Sequence, residues 1–291
     1  MIYQPDKQNI SLCEALSIRP GITAVIGGGG KTTLIKSLAE ELTGHKTVPS
    51  AASGKPGASA LPSVLLCTST HMWPSDEYPC VETAPDEASY RILEKLRRAF
   101  SESPIVSAGT LEKSTGKYTA PSVSFKELLS IADCCLVEAD GSKGLPFKAH
   151  ASYEPVIPEG TSRTVLVTGA SAFCKPVQET VHRPEIFLHK VNALPDSVLR
   201  ASFGTFGLAE EPACGPGGSC AKETDSAFTP DCLLTPELAA VFINLEGLAD
   251  ICLLTQTDLL CEESAPDLIK RFGEKLSIPL VTASLVRRPL A

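Results

Sequence analysis

Four consecutive glycines, Gly27 to Gly30, constrain this chain more than any other feature. They follow the apolar run Ala24-Val25-Ile26 and precede Lys31-Thr32-Thr33-Leu34, which opens a stretch with apolar residues at helical spacing. Strand, glycine loop and helix in that order build a cradle for phosphate. Glycine lets the backbone approach an anion closely, and the N-terminus of the following helix adds about half a positive charge. On this reading Gly27, Gly28, Gly29, Gly30, Lys31, Thr32 and Thr33 hold a nucleoside triphosphate, ATP or GTP. Lys31 is then the catalytic cation reaching the β- and γ-phosphates, and the Thr32 hydroxyl is a ligand of Mg²⁺. The competing reading is a glycine-rich turn with an incidental lysine.

The full phosphate-loop pattern G-x-x-x-x-G-K-[ST] requires glycine at position 25, where valine stands. What remains, G-x-x-G-K-T-T, is similar to the shorter loop of the Mur ligases and of relatives of the nitrogenase-iron-protein-like NTPases. A Mur-like ligase that activates a carboxylate is therefore one alternative, although no ligase substrate domain is evident.

Short apolar runs alternate with helical patterns along the rest of the chain. The runs are Ile22 to Ile26, Val64 to Cys67, Pro104 to Ser107, Cys134 to Val137, Thr164 to Val167, Ile251 to Leu254 and Ile278 to Val281. Helices are expected over Lys31 to Leu42, with Leu34, Leu38 and Leu42 facing the sheet, and over Ala88 to Phe100. Proline at the first turn marks two more, Pro236 to Phe242 and Pro266 to Leu276. The pattern predicts an α/β fold: one P-loop NTPase-like domain over 1–291, with a mainly parallel sheet flanked by helices. Two stretches rich in small residues, glycine and proline, near 45–62 and 201–230, read as flexible insertions. A smaller C-terminal lobe starting near Ile157 is an open alternative.

The formal charge of −8 argues against a general nucleic-acid or anionic-membrane surface. No apolar run approaches membrane-spanning length and the first residues do not resemble a leader, so the cytoplasm is the expected location. Eleven cysteines are an odd number for a disulfide framework. Cys67, Cys134, Cys135 and Cys252 fall in strand-like runs, where a thiol acts as a small hydrophobe. Cys214, Cys220 and Cys232 lack the close paired spacing of a zinc site and read as incidental thiols of a loop.

The fourth apolar run ends in Val137-Glu138-Ala139-Asp140-Gly141-Ser142-Lys143-Gly144. Ligands of open α/β sheets lie at the carboxyl ends of strands. Glu138 and Asp140, two apart on one strand face, are the candidate Mg²⁺ and catalytic carboxylates, one direct and one through water. Replacing either by its amide is expected to weaken Mg²⁺-dependent binding with the fold intact. Thr68 and Thr70, after the second run, are candidates to bind the γ-phosphate or complete the metal shell, against a plain hydroxyl-rich turn. His71 and Trp73 beside them suit structural roles, although Trp73 could stack on a base. Lys143 and Lys148 either meet a polyanion or form a solvated pair. Arg183 either clamps phosphate or pairs with Glu185. Thr255-Gln256-Thr257-Asp258 keeps only the aspartate of the guanine-reading N-K-x-D, so Asp258 is a weak base-binding candidate against simple strand termination.

These pieces together resemble the YqeC family of selenium-dependent hydroxylase accessory proteins. The resemblance rests on GGGGKTT at Gly27 to Thr33, CTSTHMWP at Cys67 to Pro74 and, most specifically, VEADGSKGLPFKAH at Val137 to His150. It continues through VTGASAFCKPV at Val167 to Val177, VHRPE at Val181 to Glu185, and LTPELA, EGL and LTQTD after Leu234. It implies a P-loop NTPase-like fold and a part in maturing selenium-dependent molybdenum hydroxylases. The expected partner is such a hydroxylase or its molybdenum cofactor. Two activities fit: Mg²⁺-dependent hydrolysis or phosphoryl transfer, or a nucleotide-gated module that delivers the cofactor with little turnover.

Overall fold

The strand preceding the glycines, β2 (Gly21–Gly27), is buried along nearly its whole length, as a strand covered on both faces must be. The computed structural model describes residues 2–3, 10–44, 62–195 and 227–285. In it β2 lies between two parallel neighbours, β7 (Cys134–Glu138) and β9 (Thr161–Gly169). Beyond β7 come β3 (Val64–Thr68), β5 (Ile105–Glu112) and β4 (Cys80–Thr83). Beyond β9 come β11 (Ile251–Thr255), β12 (Leu280–Thr282) and the short β1 (Ile2–Tyr3). One strand, β6 (Lys117–Thr119), runs antiparallel to β5 and completes a ten-stranded sheet. The residues after Ile157 thus add β9, β11 and β12 to the sheet that carries the glycine loop.

Alternation along the strands sorts side chains into two helical layers. Val25, Val64 and Leu66 face α1 (Leu12–Ala15) and α2 (Lys31–Leu42). Leu34 and Leu38 are fully buried there, and Leu42 is partly buried at the edge. The opposite face divides into two clusters. Leu65, Cys67, Val106 and Val137 pack on α3 (Ser89–Glu102) and α4 (Phe125–Leu128). Ala24, Ile26, Leu166 and Leu254 pack with the phenylalanines of α6 (Pro184–Asn192), α7 (Pro236–Glu246) and α8 (Ala265–Lys275). All seven expected strands and all four expected helices are present.

Unexpected elements are short or locally polar. The edge strand β4 buries only Val81 and Thr83. α6 follows Val181-His182-Arg183 and is held by Phe187 and Val191, one turn apart. A two-stranded parallel sheet pairs β8 (Phe147–Lys148) with β10 (Val181–His182), the latter following the single-turn α5 (Val177–Thr180). The expected insertions lie outside the described residues over 45–61 and 201–226, as do Cys214 and Cys220. Among the described residues, no helix is long and apolar enough to cross a membrane.

Candidate functional site

The glycine loop closes over the carboxyl end of β2 because three of its residues have no room for a side chain. A Cβ on Gly27 would lie 2.3 Å from Val167 O, on Gly28 2.4 Å from Leu145 O, and on Gly29 2.5 Å from Gly169 N. Gly30 has open space around it but adopts a φ of 121°, where L-residues are strained. The loop amides are held by the same neighbours. Gly27 N–H donates to Asp140 Oδ2 at 2.8 Å, Gly28 N–H to Val167 O at 2.9 Å and Gly29 N–H to Leu145 O at 3.1 Å. The glycines are therefore required first by close packing, and their first three amides are engaged within the protein. The helical amides that follow open α2, whose N-cap Gly30 makes no side-chain capping bond. The Thr255 hydroxyl donates to Gly29 O at 2.6 Å and fixes the loop from β11.

Lys31 and Thr32, the first two residues of α2, both reach groups at the ends of β2 and β7. Lys31 is buried; its Nζ donates to Gly27 O at 2.7 Å and lies 3.1 Å from Asp140 Oδ1 and 3.9 Å from Glu138 Oε1. Thr32 Oγ1 donates to Glu138 Oε2 at 3.0 Å. Lys31, Thr32, Glu138 and Asp140 thus lie together at the carboxyl ends of β2 and β7. Their environments differ. Burial pushes the Glu138 carboxyl above the usual range despite Lys31 and Thr32. Burial would raise Asp140 too, but the His150 hydrogen bond and the charges of Lys31 and Lys148 outweigh it and hold this carboxyl far below its ordinary value.

Asp140 is the hub of a buried ion chain. His150 Nε2 lies 2.8 Å from Asp140 Oδ2, while His150 Nδ1 lies 2.7 Å from Glu246 Oε2 at the end of α7. A histidine between two ionised carboxylates donates from both nitrogens only as imidazolium. Burial works against that charge, but the bonds to Asp140 and Glu246 raise His150 above its ordinary range. Lys190 of α6 closes this branch at 2.8 Å from Glu246. A second branch runs from Asp140 to Lys148 at 3.2 Å, on to Glu154 at 2.7 Å, and ends at Arg183. Phe147, in contact with Phe187 and Phe242 at ring separations of 6.0 Å, anchors the strand that delivers Lys148.

Other expected site residues are placed differently from one another. The Thr68 hydroxyl is buried and donates to Glu138 O at 2.7 Å, while accepting from Thr70 N–H. It braces the end of β7 from β3. Lys143 is exposed, in a left-handed turn with φ 51°. Lys148 is no solvated partner of Lys143, because its ammonium is enclosed by Asp140, Glu154 and Gly141 O. Arg183 pairs with Glu154 and the Tyr153 hydroxyl, not with Glu185. Asp258 is exposed and accepts from Ser284 at 2.7 Å. Among the described residues, no group of three or more His, Cys, Asp or Glu side chains is arranged to hold a metal ion unaided.

His150, Glu154, Lys190, Glu246 and Thr255 were given no role from sequence. Lys148 and His150 carry a faint signal, two polar residues at strand spacing after a turn, within the most specific motif. Glu246 comes from a helix end almost a hundred residues away, which no local pattern can pair with His150.

A family model described as YqeC protein matches residues 23–185, a span that holds the glycine loop and the chain as far as Glu185. The curated "Uncharacterized protein YqeC" of Escherichia coli (strain K12) is 33% identical over 190 residues. That alignment spans 63% of this chain and 66% of the relative, just under two thirds of its length. No solved structure matches the chain.

Proposed function

The chain belongs to the YqeC family, and we propose that it binds a Mg²⁺–nucleoside triphosphate on the Gly27–Thr33 loop and cleaves or transfers its terminal phosphoryl group. The observation that carries this reading is the meeting of Lys31, Thr32 and Glu138 at the start of an uncapped helix, directly after a glycine loop. The N–H groups of the first turn of α2 and the Lys31 ammonium are the donors for phosphate oxygens. Thr32 Oγ1 and Glu138 Oε2, hard oxygen donors already 3.0 Å apart, are the residues that fit Mg²⁺. A site with two protein oxygens suits this ion, which takes its remaining ligands from water and phosphates. When bound, Mg²⁺ supplies charge neutralisation to the β- and γ-phosphates.

Asp140 has a different part in this reading. It positions: one carboxylate oxygen holds Gly27 N–H, and the other faces the ammonium of Lys31. The fold of the loop and the direction of its lysine are set by one group. His150 and Lys148 keep that group ionised.

We further propose that the nucleotide site serves maturation of a selenium-dependent molybdenum hydroxylase or its cofactor; the family resemblance supports this part. Steady-state phosphate release with Mg²⁺·ATP and Mg²⁺·GTP, with and without the hydroxylase apoprotein, tests the whole reading. Release lost in Lys31→Ala and stimulated by the apoprotein is the expected result. Negligible release under every condition, with nucleotide binding intact, would favour a nucleotide-gated delivery module instead.

A further inference from the structure

A cavity of about 250 Å³ opens beside Thr32 and Glu138, on the β3 side of the loop. One wall is the face of α2 that presents Ile35, and the other is the segment following β3, with Met72 and Trp73; Leu66 contributes from β3 itself. The space falls just below the roughly 300–1,000 Å³ typical of drug-sized ligands, which limits an occupant to one or two rings. The cavity lies outside the ion chain centred on Asp140.

Trp73 gives this cavity its character. It is the chain's sole tryptophan and is 64% exposed. Its backbone neighbour is anchored, since Met72 pairs with Tyr118 through two backbone hydrogen bonds of 2.8 and 2.9 Å, and Lys117 Nζ sits 5.1 Å over the indole ring. The part of the indole that Lys117 does not cover is exposed apolar area that a ring-bearing ligand would cover. Charge at the mouth selects further. Glu138 and Asp76 both line the cavity; of the nearby cations, Lys36 is already answered by Asp76 at 3.3 Å and Glu77 at 3.5 Å, and Lys117 lies over the indole, where its charge also acts on Glu138. Anionic ligands meet unfavourable carboxylates there, whereas a hydroxyl or amine can donate to Glu138.

We propose that this cavity seats a second, uncharged substrate: a small ring compound whose hydroxyl or aniline-type amine points toward Thr32 and Glu138. Its role as the partner substrate rests on the nucleotide reading above; the binding site itself does not. Thr32 and Glu138 border both sites, the nucleotide lying on the glycine-loop side and the ring compound on the side of Leu66, Met72 and Trp73, so the two are placed as neighbours.

4-Fluorobenzyl alcohol is the probe, titrated into nucleotide-free protein and followed by fluorine NMR and Trp73 emission. Saturable binding by both readouts is expected, with 4-fluorobenzoate weaker by about tenfold. By NMR, Trp73→Ala should weaken the alcohol by about fivefold to tenfold, the worth of one aromatic contact, while Trp73→Phe binds like wild type. Since Trp73 is mostly exposed, both variants should keep the wild-type circular dichroism, and Asp76→Asn provides a second check by narrowing the gap between alcohol and benzoate. Absence of saturation, equal binding of alcohol and benzoate, or indifference to Trp73→Ala would overturn the proposal, as would displacement of the alcohol by Mg²⁺·ATP. The nucleotide reading fails separately, through Lys31→Ala titrated with nucleotide.

Discussion

Asp140 Oδ2 accepts the backbone N–H of Gly27 at 2.8 Å, so the first residue of the glycine loop hangs on a carboxylate 113 positions away. The same carboxylate faces Lys31, Lys148 and His150. Three cations around one buried anion make it the point where loop geometry and local electrostatics meet.

Asp140→Asn should therefore destabilise the whole protein, by about 3–5 kcal/mol, because it leaves buried cations without their shared counter-charge. Sequence alone suggested an intact fold. Urea unfolding followed by circular dichroism measures the difference. Glu138→Gln, by contrast, removes a carboxylate that burial already disfavours in its charged form, and should change stability by less than about 1 kcal/mol.

Stability should fall on both sides of neutral pH. His150 is raised in the folded state, so its contribution is complete below the ordinary histidine value and lost as pH rises through the folded value. Asp140 and Glu246 are depressed, so theirs is present above ordinary carboxylate values and lost as pH falls toward the folded ones. Thermal unfolding from about pH 3 to about pH 10 should show both limbs. In His150→Gln the alkaline limb should flatten; an unchanged alkaline limb would remove His150 from the account.

Thr255→Val should loosen the loop without touching any proposed ligand contact. It deletes the hydroxyl bonded to Gly29 O in a buried position, leaving that carbonyl unsatisfied at a cost of about 1–3 kcal/mol. Faster amide hydrogen exchange at Gly28 to Lys31, with β2 still protected, is the expected result.

The sheet was legible in the sequence because its inner strands are buried on both faces and read as continuous apolar runs. Edge strands such as β4 expose alternate residues and left no such run. The loop was legible because glycine, lysine and threonine at fixed spacing have few other uses. Its internal bonding was not: Leu145, Val167 and Thr255 meet the loop through backbone atoms or a single hydroxyl, which no side-chain pattern announces. Arg183 shows the same limit. Glu185 was its nearest partner in sequence, but α6 begins at Pro184 and the arginine turns instead to Glu154, brought close by the chain after β8.

The nucleotide site itself is tested most directly by calorimetric titration of ATP and GTP, with and without Mg²⁺, into wild type, Lys31→Ala and Glu138→Gln. Saturable one-to-one binding is predicted, strengthened by Mg²⁺ in wild type. Lys31→Ala should lose at least about tenfold in affinity, and Glu138→Gln should lose most of the Mg²⁺ dependence. Binding that is identical in wild type and Lys31→Ala, or no binding of either nucleotide to the folded wild-type protein, would contradict the assignment.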